Sequence, residues 1–137
     1  MRKFEFRLDR VLSLRVHAEE QAEQRLAEVF GRYSQIEREL QQLSRERDAT
    51  FRAGDPSSRV DINYRVAQSA YLRYLDQRQE ELEAQRAEKA QELESVRAEY
   101  HEALRERKVL DNLRNRRSQE YYKEQRRAEG RELDDIG

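Results

Sequence analysis

The sequence predicts an all-α fold: two long helices forming an antiparallel coiled-coil hairpin, with the second helix overhanging at its C-terminal end. Three observations predict it. Apolar residues recur in steps of three and four along two long tracts. One strong breaker, Gly54-Asp55-Pro56-Ser57-Ser58, separates those tracts. Charged residues make up 42% of the chain against 36% hydrophobic, too polar for a globular core but suited to amphipathic helices. A disordered chain would carry a larger net charge than -1 and would lack the sustained apolar period. At 137 residues the length fits a single coiled-coil domain over 1–137.

The first helix is expected over about residues 3–52. Its seam reads Leu8, Val11, Arg15, Ala18, Ala22, Leu26, Val29, Tyr33, Ile36, Leu40, Leu43 and Arg47. Ala18, Ala22 and Leu26 follow at two successive steps of four, a stutter in the heptad pattern. The turn is expected over about 53–60. There Gly54 can end the first helix and Pro56 cannot continue it, while Ser57, Ser58 or Asp61 can cap the second.

The second helix is expected over about 61–130, with Gly130 weakening its end and the last residues frayed. Its seam is Leu72, Leu75, Gln79, Leu82, Arg86, Lys89, Leu93, Val96, Tyr100, Ala103, Arg107 and Leu110. The polar residues Gln79, Arg86 and Lys89 make its middle the stretch expected to be loosely held; their long stems can still cover the seam. Folding about the turn pairs positions whose numbers sum to about 115, so Leu40 meets Leu75, Tyr33 meets Leu82, Ala22 meets Leu93, and Leu8 lands near Arg107 and Leu110. A helix of about 50 residues gives a rod of roughly 75 Å, with almost no interior. Function must then sit on its surface and its two ends.

Several function classes are excluded or disfavoured by composition. The chain has no cysteine, which rules out disulfides, thiol catalysis and cysteine–zinc sites. Charges at Arg2, Lys3, Glu5, Arg7, Asp9 and Arg10 interrupt any secretory apolar region. No tract approaches the roughly 18 apolar residues of a membrane span, and the chain reads as cytoplasmic and soluble. Only Lys3, Lys89, Lys108 and Lys123 are lysines, so arginine supplies most of the positive charge. Arginine suits carboxylate pairing at interfaces; codon bias is the bland alternative.

No catalytic motif is present, and no cofactor is implied. His17 and His101, with Glu20 and Glu102, are the one conceivable metal group, but two exposed helix histidines account for them better. Carboxylate pairs such as Glu80-Glu81 have nothing to desolvate them for acid–base work.

Two surface features remain. Residues 112–131 contain Arg114, Arg116, Arg117, Lys123, Arg126, Arg127 and Arg131 against Glu120, Glu124 and Glu129, a surplus of four positive charges beside Tyr121-Tyr122. This overhang, unpaired by the first helix, reads either as a docking element for an acidic groove or as a solvated face. Near the turn, Phe51, Ile62, Tyr64, Tyr71 and Tyr74 join Leu40, Leu43 and Leu75, more apolar surface than a two-helix seam buries. They form either a partner surface or a cap on the hairpin.

Both ends of the chain carry a family resemblance. The start, Phe4-x-Phe6-Arg7-Leu8-x-x-Val11-Leu12-x-Leu14-Arg15, resembles the opening of the FliJ family of flagellar type III export proteins. Lys108-x-Leu110-x-x-Leu113, Arg116-Arg117 and the end Glu129-x-Arg131-Glu132-Leu133-Asp134-Asp135-Ile136 are similar too, and the resemblance spans the whole chain. It implies a two-helix antiparallel coiled coil like the central stalk of rotary ATPases. It implies three partners: the hexameric flagellar export ATPase, the cytoplasmic domain of the export-gate membrane protein, and export chaperones. It places such a protein in the cytoplasm, peripherally associated with the inner-membrane export apparatus.

Carried onto this chain, the gate-facing residues near the turn are Leu40, Leu43, Tyr71 and Tyr74. Ile62-Asn63-Tyr64 is similar to the family's stretch after the turn. Glu46 and Thr50 depart from the pattern, in which tyrosines stand there. The residues expected at the ATPase end are Arg114, Arg116, Arg117 and Arg127. The reading is a non-enzymatic coupling protein, monomeric because the hairpin satisfies its own seam. The alternatives are the stalk protein of a virulence type III secretion system, a generic dimerising coiled coil, and an arginine-rich nucleic-acid binder.

Overall fold

The computed structural model describes residues 2–53 and 61–136. It is an all-α helical hairpin of α1 (Asp9–Ala53, 45 residues) and α2 (Ile62–Ile136, 75 residues). Gly54, Pro56, Ser57 and Ser58, expected to turn the chain and cap the second helix, lie outside these residues. Asp61 does act as a cap. Its Oδ1 accepts from the Asn63 amide at 3.2 Å and its carbonyl accepts from the Arg65 amide at 3.2 Å, the pattern of an N-cap residue.

The chain divides into two compact units, Met1–Gln24 with Arg97–Gly137, and Arg25–Val96. Each contains a stretch of both helices.

In the unit Arg25–Val96 the heptad seam does the packing. Val29, Leu93 and Val96 form one buried cluster, with Leu26 and Tyr33 half-buried against it. Ile36, Leu43, Leu75 and Leu82 continue the apolar core, and Leu75 and Leu82 are each only 1% exposed. Gln79, Arg86 and Lys89 sit at half-buried seam positions, as their spacing requires. The polar groups of this stretch have partners, two of them on α1 and one within α2. Arg47 Nη1 donates to Gln79 at 3.3 Å, Arg86 lies 3.6 Å from Glu37, and Lys89 reaches Glu92 at 2.7 Å. The Lys89 ammonium holds the Glu92 carboxyl below the usual range. Long stems thus cover the seam while the charged heads find partners at its rim.

The register differs from the expected one. Leu93 packs with Val29, seven residues beyond the Ala22 expected opposite it. Leu43 rather than Leu40 shares a cleft with Leu75 and Leu82. The expectation placed the two helix ends level at the turn. A heptad pattern returns the same seam after every seven residues, so periodicity alone does not distinguish the two alignments. In the observed alignment Gln68 Nε2 donates to the Thr50 carbonyl at 2.9 Å, satisfying one of the terminal acceptors of α1. Residues 62–67 of α2 are exposed before that point.

In the other unit the chain begins differently from the expectation. Helix was expected from about residue 3; α1 begins at Asp9. Phe4 is half-buried, Glu5 exposed, Phe6 buried, Arg7 exposed and Leu8 half-buried. This alternation is that of an extended segment, in which residues two apart face the same side. A helix would turn Phe4 and Phe6 to nearly opposite sides, so only extended backbone lays both phenylalanines inward. The Asp9 amide then donates to the Phe6 carbonyl at 3.1 Å and the helix starts. Val11, expected in the seam, is 38% exposed, and Leu12 is half-buried in its place. Arg107, expected near Leu8, pairs instead with Glu19, eleven residues further along α1, a displacement in the same direction.

α2 also continues past its expected end near residue 130, to Ile136. Gly130 has no positive φ and open space around it. A glycine costs a helix only about 1 kcal/mol, and Arg131, Glu132 and Leu133 that follow it are good helix formers.

Two substitutions test this packing. Leu82→Ala should cost about 2–5 kcal/mol in chemical denaturation, because the side chain is fully enclosed. Gly31→Ala, also in open space within α1, should stabilise by about 0.5–1 kcal/mol.

Candidate partner-docking surfaces

The first surface lies in the unit Arg25–Val96, where α2 begins. Phe51, Ile62, Tyr64, Val66, Tyr71 and Tyr74 are all large and exposed, Ile62 to 77% and Tyr74 to 58%. Tyr71 and Tyr74 stack, with ring centroids 6.3 Å apart and an interplanar angle of 25°. The Tyr71 hydroxyl donates to Glu46 at 3.3 Å. Partial burial and the Glu46 carboxylate push that hydroxyl above the ordinary tyrosine value. Beside this pair runs an open groove lined by Ala49, Thr50, Ala53, Tyr64, Ala67, Gln68 and Tyr71.

The four residues expected here separate into two groups. Tyr71 and Tyr74 are presented outward. Leu43 is 9% exposed and belongs to the seam, and Leu40 is half-buried beside Arg47, Gln79 and Arg86. Sequence reasoning missed Val66 and the alanine floor of the groove. Ala49 and Ala53, four apart on α1, were the available signal: two small side chains on one face leave room above them.

The second surface lies in the other unit, on the last third of α2. Residues from Asn112 onward were expected to run without a partner. The N-terminal segment partners part of this stretch: Phe4 packs on Tyr121 with centroids 5.6 Å apart, and the Tyr121 hydroxyl donates to the Arg2 carbonyl at 2.9 Å, while residues 126–136 are exposed. Arg114 lies 3.3 Å from Asp9. Leu113, Ser118, Tyr121 and Gln125 are half-buried along this face. Arg116, Arg117 and Arg127 are exposed, and none forms an ion pair among the described residues. At helical spacing Arg116, Lys123 and Arg127 fall on the face turned away from Tyr121 and Gln125. Of the four arginines expected to act here, three are therefore presented to solvent and Arg114 is tied to α1.

Among the described residues, no group of three or more His, Cys, Asp or Glu side chains is placed to hold a metal ion. His17 and His101 are exposed, and the His101 ring leans on Tyr100 at 5.7 Å. The described helices include none long and apolar enough to cross a membrane.

The fold defines an antiparallel coiled-coil protein with exposed aromatic and arginine side chains on its helix faces. The sequence matches the family model described as "Flagellar FliJ protein" over residues 4–137, and the chain belongs to that family. It is thus a flagellar export-associated protein, from a family of export components rather than of enzymes. Searches of curated proteins and of solved structures each found no significant match.

The N-terminal segment gives this surface a direct test. Phe6→Ala should speed amide exchange in residues 114–125 by about tenfold or more, through local opening, and leave the Val29–Leu93–Val96 cluster unchanged.

Proposed function

We propose that this protein is a non-enzymatic coupling component of the flagellar type III export apparatus. It links the hexameric export ATPase to the cytoplasmic domain of the export gate and assists delivery of chaperone-bound substrates. The observation that carries this reading is the family match, which spans residues 4–137 and so takes in both surfaces.

The physical chemistry of the two surfaces supports a division of labour. Arg116, Arg117 and Arg127 offer unpaired guanidinium groups, which favour carboxylates on a partner. That surface would engage the ATPase ring. The exposed aromatics Tyr71 and Tyr74, with the alanine-floored groove beside them, offer apolar area and hydroxyls together. That surface would engage the gate. Any association with the inner membrane would then come through the gate protein.

Coupling by such a protein works through differential affinity. A partner that binds one state of an ATPase ring more tightly than the others shifts the ring toward that state. Binding to the assembled ring alone also favours assembly by mass action.

Addition of the protein to the purified export ATPase should raise its turnover. The triple variant Arg116→Glu, Arg117→Glu, Arg127→Glu should need about tenfold more protein for the same stimulation, with a weaker dependence on salt. An unchanged response would remove the arginines from the contact while leaving the family assignment intact. No stimulation by the parent protein would count against the coupling role itself.

A further inference from the structure

We infer that the ion pair between Glu19 and Arg107 selects the register of the two helices, acting as a lock on an otherwise slippery seam. Arg107 occupies a core-type position of the α2 heptads. Its Nε donates to Glu19 Oε2, its second terminal nitrogen lies 3.5 Å from Glu19 Oε1, and its first donates to Asp111 Oδ2 at 2.6 Å. The two side chains of the pair are only 24% and 16% exposed. By contrast Arg15–Glu106 and Arg114–Asp9, in the same unit, keep 40% or more of each side chain in water. Exposed pairs contribute little, whereas a charge left alone in a part-buried seam is costly. Glu19 and Arg107 are therefore the residues whose pairing discriminates between alignments.

The competing alignment is one heptad away. Sliding α2 by seven residues toward the level-ended register leaves an apolar seam facing an apolar seam. In that alignment Arg107 still meets an acid, Asp9, and Arg15 meets Glu99. Glu19 meets Tyr100 and loses its cation on α2. The apolar pattern permits both registers, and the Glu19 carboxylate penalises one of them. A polar group at a core position that trades stability for a unique alignment is a recognised use of such residues in coiled coils.

The chain has no cysteine, so spin labels can be placed at will. Labels at the exposed positions Ser13 and Lys108 report the axial offset of the helices by pulsed electron paramagnetic resonance, and a seven-residue slide displaces one label by about 10 Å. The parent should give one distance. Glu19→Gln, which keeps the shape and removes the charge, should add a second distance in about 10% of molecules or more. The double variant Glu19→Leu, Arg107→Leu should do the same while its melting temperature holds or rises. A single distance in both variants would overturn the proposal. So would a single distance with a lowered melting temperature in the double variant, since the pair would then be stabilising rather than selective.

Discussion

The heptad seam is the constraint on which the rest depends. Two helices with mean polarity this high have no other way to bury apolar surface. Nine hydrophobic residues make up the buried core of the described chain, and no charged or polar residue is buried with them. Both candidate docking surfaces lie off that seam. Aromatic residues that do not fit it stand exposed on α2 near its start, and arginines that do not fit it stand exposed near its end.

Much of this was legible in the sequence, because period and burial are directly linked. Every position assigned to the α2 seam, from Leu72 to Leu110, is buried or half-buried. The Asp61 cap follows from simple residue chemistry, a short polar side chain accepting a free amide at the start of α2. What period does not carry is phase between helices. The alignment was expected one heptad from where it lies, and the heptad period allows both. The extended N-terminal segment was hidden for a related reason. Phe4, Phe6 and Leu8 alternate at a period of two, but the run is short and leads into a strong helix.

The candidate surfaces were legible in composition but not in detail. Excess aromatic residues near the breaker and excess arginine near the end were visible as residue types. Which of them the fold exposes was not. Leu43 was expected both in the seam and on the surface beside Tyr71 and Tyr74, and the fold keeps it in the seam, sharing a cleft with Leu75. Tyr121 looked free and proved to be the platform for Phe4. Its role changes the meaning of the basic stretch. The N-terminal segment holds that part of α2 in place, so Arg116 and Arg127 project from a supported helix rather than a bare one.

The central claim is that the seam only builds the scaffold and that exposed faces meet the partners. Site-specific photo-crosslinking tests it most directly, with the probe placed in turn at Arg116, Arg127, Tyr74 and the seam residue Leu43. The account predicts capture of the export ATPase from Arg116 and Arg127, capture of the gate's cytoplasmic domain from Tyr74, and neither from Leu43. Capture of the ATPase from Tyr74 with none from the arginines, or efficient capture of either partner from Leu43 in a folded protein, would contradict it.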